Sequence, residues 1–362
     1  MLLFNLRTDA ADSVLGFTTT WLNALARRVA HVSVVTMYAG EIDVEPNVSV
    51  HSIGKERGLS EPRRVVEFYR LVQHVLSERA VDVCFSHMNP KFSILFAPVA
   101  RARGIPQLLW FAHGSAGPSL RAAERLVDRC VTPTPASFRL RSDKLYVTGH
   151  GIDTSVFRPP VATGAEYRRI AVSVERISPV KRPLEMIEAT AIVRERGHDL
   201  RLELVGAPLT FGDREYLETL RHRTRELGLD ASVTFSGRVP FREVAARYRR
   251  GALFLNLSET RSLDKAILEA MASGCVPVCR NESFAAIARD AGFAELVPGQ
   301  GPAAVADCIV AELRRSPGDR AEMAARLRGV VEDDHSLDAL IDTLAGHLGE
   351  LAAAGHREVV AA

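Results

Sequence analysis

Short apolar runs rich in β-branched residues alternate with longer stretches in which apolar residues recur every three or four positions. That rhythm predicts stacked strand–helix–strand units built on parallel sheets. In the first part of the chain the strand-like runs are 2–6, 31–38, 48–53, 81–87, 107–113, 128–133 and 144–149. Helical spacing fills 17–28, 63–79 and 92–103 between them. The last of these should stop at Gly104, followed by Ile105 and Pro106.

Residues 151–169 lose all periodicity and gather Pro, Gly and Thr, the composition of a linker. A second alternation follows, with strand-like runs at 169–174, 200–206, 232–237, 252–258, 275–279 and 294–298, and an amphipathic helix closes the chain from Ser336 to Ala353. With 362 residues there is enough chain for two cores. The expected organisation is α/β throughout, with two doubly wound, Rossmann-like domains. The first covers 1–155 and is completed by the C-terminal helix 336–362; the second covers 156–335.

Composition changes this picture little. A 47 % apolar and 25 % charged chain is of ordinary globular type. A net charge of +2 lacks the basic excess of a nucleic-acid binder. The cluster Lys55, Arg57, Arg63, Arg64, Arg70 reads as a solvated helix face, with contact to anionic lipid or to an anionic acceptor as the other reading. Five cysteines at 84, 130, 275, 279 and 308 show no metal-ligand spacing and read as buried thiols in a reducing compartment. The N-terminus has no signal-peptide pattern, and no window approaches the ~20 apolar residues that span a bilayer. The expected location is the cytoplasm, with peripheral contact at the inner membrane face left open.

Neither half carries a GxGxxG after its first strand, which disfavours a dinucleotide-dependent dehydrogenase. Two segments carry the candidate chemistry instead. In NLSETRSLDKAILEAMASGCVPVC (256–279), Ser262 is the expected N-cap of a helix whose apolar face is Leu263, Ile267, Leu268 and Met271, and Gly274 closes it. The start of such a helix offers backbone N–H groups and a positive dipole end to an anion. Glu269, one to two turns in, can accept from two neighbouring hydroxyls or simply complement the dipole. In AVSVERISPVKRP (171–183), Arg176 and Lys181 follow a strand end and form a phosphate clamp.

These segments resemble glycosyltransferase family four, retaining enzymes of the GT-B fold. The family pattern of strand, Gly-Arg-Leu and Lys is matched by VERISPVKRP, and Glu-Ala-Met-Ala-x-Gly-x-Pro-Val by LEAMASGCVPV. LELVG (202–206), VTFSGRV (233–239) and YVTGHGIDTSVFRP (146–159) resemble further family segments, in order, so the likeness is close from about 146 to 290 and thinner before. The resemblance implies two domains facing each other across a cleft and transfer of a hexose-type sugar from a nucleoside-diphosphate sugar, UDP or GDP.

By position, the resemblance gives Arg176 and Lys181 the donor diphosphate, Glu269 the ribose hydroxyls, and Leu263 to Ala266 the amides facing the phosphates and sugar. It gives Val239 the base-contacting backbone, Gly16 and Phe17 the end of the first loop and the start of its helix, and His113 a place near the donor sugar. Two departures stand out. Arg261 occupies the position of the family's first Glu, and Ser262, Leu263, Asp264, Lys265 replace Gly-Phe-Gly-Leu. Asp264 is the candidate for the missing carboxylate and Lys265 for a further phosphate contact; alternatively both dress a helix start. No Asp-x-Asp pair suits a metal-bridged diphosphate and Arg176 and Lys181 already supply the charge, so no obligatory metal and no cofactor are expected; the resemblance implies that the leaving phosphate itself takes the acceptor proton. The acceptor is left open among polysaccharide, lipid-linked sugar, protein and small natural product. A non-catalytic nucleotide-binding homologue and a GT-B epimerase or inverting transferase are the alternative readings.

Overall fold

The computed structural model describes residues 1–161, 169–260 and 262–361, with residues 356–361 as backbone alone. Arg261 and positions 162–168 of the expected linker therefore lie outside the described residues.

The chain divides into two compact units, Met1–Gly151 with Leu337–Ala362, and Ile152–Ser336. The first runs β1 (Leu2–Asn5), α1 (Phe17–Ala26), β2 (Val32–Thr36), β3 (Val48–Ser52), α2 (Glu61–Glu78), β4 (Cys84–His87), α3 (Pro90–Arg103), β5 (Gln107–Trp110), α4 (Pro118–Leu126), β6 (Arg129–Thr132) and β7 (Leu145–Val147). The second runs β8 (Ile170–Val174), α5 (Pro183–Glu195), β9 (Arg201–Val205), α6 (Phe211–Glu226), β10 (Val233–Gly237), α7 (Phe241–Tyr248), β11 (Leu253–Asn256), α8 (Lys265–Ala272), β12 (Val276–Cys279), α9 (Glu282–Asp290), α10 (Pro302–Arg314) and α11 (Pro317–Asp334). The last helix, α12 (Leu337–Ala361), returns to the first unit and packs on α1.

The first sheet has the order β3-β2-β1-β4-β5-β6-β7 and the second β10-β9-β8-β11-β12, with every pairing parallel. Both are doubly wound: the strand order reverses beside the first strand of each unit, between β1 and β4 and between β8 and β11. Strand alternation sorts side chains to the two faces. Leu3 faces α1 and α12 in a cluster with Trp21, Leu25, Leu340 and Leu344, while Leu2 and Phe4 face Phe68, Phe92 and Phe96 from α2 and α3. One larger cluster fills the second unit, where Leu253, Phe254 and Leu255 are fully buried.

Two expectations fail locally. Residues 294–298 are not a strand: Ala294–Leu296 is a turn of 3-10 helix, with Leu296 N–H donating to Phe293 C=O (3.1 Å) and Val297 N–H to Ala294 C=O (3.2 Å). Gly292 turns the chain just before and Pro298 lacks an N–H just after, so the buried Leu296 serves as a plug and the segment never joins the ladder. The helix before Gly274 starts at Lys265 with Asp264 at its N-cap position, two residues later than the expected Ser262 cap.

Candidate functional site

In open parallel sheets, ligands sit outside the carboxyl ends of the strands where the order reverses. In the second unit that point is the β8/β11 boundary, so the loops leaving these two strands define the candidate site. After β8 the chain runs through Glu175, Arg176 and a 3-10 turn at Pro179–Lys181 into α5. After β11 it runs through Leu257–Asp264 into α8.

Side-chain caps shape the second loop. Asn256 ends a buried apolar strand, and its Oδ1 accepts from the Ser258 N–H (3.2 Å) and the Ser258 hydroxyl (2.7 Å), turning the chain at once. Asn281 caps α9 by accepting from the Phe284 N–H (3.0 Å), and its Nδ2 donates to the carbonyls of Thr260 (2.7 Å) and Ser262 (2.9 Å). Ser262 is thereby held in the loop, which is why it does not cap α8. The far end of α8 closes as a Schellman motif: the N–H groups of Gly274 and Cys275 donate to Met271 (3.1 Å) and Ala270 (3.0 Å), with Gly274 at φ +81°.

The two loops meet through charge. Lys181 Nζ lies 2.7 Å from Asp264 Oδ2 and 3.5 Å from Glu175 Oε2. Asp264 Oδ2 also accepts from Asn256 Nδ2 (3.1 Å) and lies 2.9 Å from the Ser258 hydroxyl, whose single proton it shares with Asn256 Oδ1, and Asn256 Nδ2 reaches Glu175 Oε2 at 3.4 Å. Arg182 and Glu259 add a second tie at 3.1 Å. Burial pushes the Glu175 carboxyl up to about 8, opposed by Lys181 and reinforced by Asp264. Burial works on Asp264 the same way, but Lys181, Asn256 and Ser258 overcome it and hold that carboxyl below its usual range. Burial disfavours the Lys181 ammonium, yet Asp264 and Glu175 leave its pKa raised. At neutral pH the cluster is therefore a Lys181–Asp264 ion pair beside a protonated Glu175.

Arg176 is exposed and makes no ion pair among the described residues. The loop bearing it leans on Gly206 at the end of β9, where a Cβ would lie 1.9 Å from the Glu175 carbonyl oxygen and φ is +146°. Glu269 is 6 % exposed, and its Oε2 accepts from the fully buried Tyr248 hydroxyl at 3.2 Å. Burial raises the Glu269 carboxyl to about 7 and lowers Lys265, one turn back on α8, to about 8. Lys265 lies among Glu269, Asp153 and the Phe241 ring, whereas Asp264 turns to Lys181. Leu263 is buried, Ser262 and Ala266 are half-buried, and Val239 is buried just after β10.

Within the second unit the structure thus brings Lys181 and Asp264 together, with Arg176 on the loop that carries Lys181. The remaining sequence candidates belong to the first unit. Gly16 caps α1 in an ordinary helical conformation (φ −56°) with half-buried Phe17 after it, and exposed His113 follows β5 with Nδ1 2.9 Å from the Ser115 hydroxyl. Sequence reasoning missed Glu175, Asn256, Ser258 and Tyr248. Glu175 had a signal, since it stands where the Gly-Arg-Leu pattern has glycine. A polar Asn closing the apolar run Leu253–Leu255 was another.

Residues 161–328 match the family model described as glycosyl transferases group 1. The chain is 30 % identical over 261 residues to a GDP-mannose-dependent alpha-(1-6)-phosphatidylinositol monomannoside mannosyltransferase of Mycobacterium tuberculosis, a match covering 59 % of this chain and 66 % of that protein. It is 28 % identical over 180 residues to a D-inositol 3-phosphate glycosyltransferase of Corynebacterium glutamicum, covering 46 % of this chain and 43 % of that one. Among solved structures, sucrose-phosphate synthase from Thermosynechococcus elongatus superposes with a TM-score of 0.75 at 15 % identity, covering 98 % of this chain and 99 % of that one. HepE of Anabaena, solved with UDP and glucose, gives 0.70 at 16 % identity, with 96 % and 98 % covered. The structural likenesses establish the fold, that of the GT-B glycosyltransferases, and residues 161–328 carry a domain of the glycosyl transferases group 1 family.

Proposed function

We propose that the chain transfers a hexose-type sugar, with retention of anomeric configuration, from a UDP- or GDP-sugar to a hydroxyl of a saccharide, lipid-linked or small-molecule acceptor. The observation that carries this reading is the meeting of Lys181 and Asp264 at the start of α8, at the β8/β11 switch point, with Arg176 on the loop that carries Lys181. An exposed guanidinium, an ammonium and first-turn amides on one sheet edge suit a diphosphate. An ammonium has three donors; one of Lys181's meets the Asp264 carboxylate and a second faces the Glu175 carboxyl, which leaves one for a phosphate oxygen. As the sugar C1–O bond breaks, these groups take up the charge on the leaving diphosphate, each worth a few kcal/mol at about the scale of an oxyanion donor. The leaving phosphate then accepts the acceptor's proton. Charge neutralisation by Arg and Lys makes a metal unnecessary in this scheme. The names of the relatives, which specify GDP-mannose and inositol-containing acceptors, agree with a nucleotide-sugar donor and a polyhydroxylated acceptor.

A thermal-shift panel of UDP, GDP, dTDP and ADP tests the donor site. A ligand at 100 times its dissociation constant should stabilise the chain by about 2.7 kcal/mol. Proton NMR of the product anomer then tests retention. Absence of any nucleotide response would remove the basis of the reading.

A further inference from the structure

The second unit holds a cavity of about 300 Å³ that the donor site does not use. That volume is at the lower end of the range for small-molecule sites. Ala252, just before β11, and Gly274, between α8 and β12, both line it, so it lies at the amino ends of the strands. The switch point is at the opposite, carboxyl ends. All of the lining belongs to the second unit.

The apolar walls are the rings of Pro159, Pro160 and Pro317 and the methyl groups of Ala321, Ala324 and Ala325 on α11. A proline ring is rigid and an alanine has no side chain to swing, so these walls cannot close over the space. Two arginines complete the lining. Arg328 braces it: Nη1 donates to the carbonyls of Phe157 (3.0 Å) and Ala272, and Nη2 to that of Thr154 (3.2 Å). The turn before Pro159 is thereby tied to the last turn of α8, and Glu332 neutralises Arg328 at 2.7 Å. Arg320 is placed differently. It is only 8 % exposed, and its Nη2 donates to the neutral carbonyl of Glu312, whose carboxylate is turned to Arg315 at 2.8 Å. A guanidinium is always charged and carries five donors in a planar fork that matches a carboxylate or phosphate. Ring and methyl walls around such a group suit a ligand with an apolar body and one anionic end.

We propose that this cavity binds a small organic anion, a carboxylate or phosphate monoester on a compact apolar body. Arg320 takes the anionic group, and the proline and alanine walls take the body. The site is independent of the nucleotide-sugar reading, which concerns the other end of the sheet.

The test titrates benzoate, phenyl phosphate and the neutral benzyl alcohol calorimetrically into the whole chain. At least one anion should bind, and the tighter of the two identifies the anionic group. Benzyl alcohol should bind about tenfold or more weakly, the scale of a hydrogen bond to a charged group. Ala324→Leu keeps both arginines and suits the helix while filling the cavity. It should melt no lower than the unmodified chain and weaken the anion about tenfold or more. Arg320→Met should weaken the anion to a similar extent and leave benzyl alcohol nearly unchanged; if that variant fails to fold, Ala324→Leu still decides. An anion that binds a folded variant as tightly as the unmodified chain sits elsewhere, the cations after β8 included, and overturns the proposal. Benzyl alcohol binding as well as both anions, or no binding of either anion, would overturn it too.

Discussion

Lys181 Nζ stands 2.7 Å from Asp264 Oδ2, an ion pair that spans 83 positions of sequence and ties the loop after β8 to the N-cap position of α8. Removing one member of a buried pair leaves the other uncompensated. Lys181→Met should therefore cost about 2–4 kcal/mol by urea denaturation, at or just below the usual range because Glu175 already holds a proton. Arg176→Met breaks no ion pair among the described residues and should stay within about 0.5 kcal/mol of the unmodified chain. Yet it should weaken the thermal response to the bound nucleotide. A reversal of this order, with Arg176 the structural residue, would contradict the ion-pair account.

Stability should fall as pH rises through the neutral range, and Glu175 should be a main cause. Its folded pKa is about 8 against an ordinary 4.5, so between those values the native state binds a proton that the unfolded chain lacks. The contribution is present at pH 5, declines as pH climbs and is gone above about 8. Glu175→Gln should flatten the decline, giving a melting temperature a few degrees above that of the unmodified chain at pH 8.5 and nearly equal to it at pH 5. Each kcal/mol corresponds to about 2–4 °C for a unit of this size. Parallel pH profiles would place the titration elsewhere.

What the sequence revealed and what it withheld follow from the range of the interactions. Strands such as Ile170–Val174 and Leu253–Asn256 were legible because burial on both faces demands a continuous apolar run. Arg176 and Lys181 were legible as cations after a strand end. The partnership of Lys181 with Asp264 was not, because periodicity carries no information about which loops the sheet order brings side by side. The shift of the α8 cap from Ser262 to Asp264 had a similar origin: Asn281, nineteen residues further on, holds the Ser262 carbonyl in the loop. At Leu296 a short apolar run resembled a strand, but turn hydrogen bonds between Gly292 and Pro298 claimed its amides.

Gly206 is the backbone support of the site. At φ +146° any other residue is strained, and a Cβ would meet the Glu175 carbonyl oxygen at 1.9 Å, a backbone atom that cannot swing aside. Gly206→Ala should cost about 3 kcal/mol or more and displace the Glu175–Arg176 loop. The nucleotide response should then fall even at temperatures where circular dichroism shows the fold intact. Retention of full nucleotide affinity in a folded Gly206→Ala protein would detach this loop from the site.

Tyr248 and Glu269 test whether the buried carboxyl of α8 is held for use. The Tyr248 hydroxyl donates to Glu269 Oε2 at 3.2 Å inside the core. Burial raises Glu269 to about 7, and the tyrosine hydrogen bond opposes that rise by favouring the ionised form. Tyr248→Phe should therefore push the Glu269 pKa further up and cost more at high pH than at low. A hydrogen bond to a neutral carboxyl is worth about 0.5–1.5 kcal/mol and one to a carboxylate about 1.5–3. Urea denaturation should show a loss of about 1 kcal/mol at pH 5.5, growing to about 2–3 kcal/mol at pH 8.5. The same variant should bind UDP more weakly than the unmodified chain but discriminate less between UDP and its 2′-deoxy form, if Glu269 meets the ribose. A pH-independent loss would mean that the hydroxyl serves packing alone, and the orientation of Glu269 would then need another source.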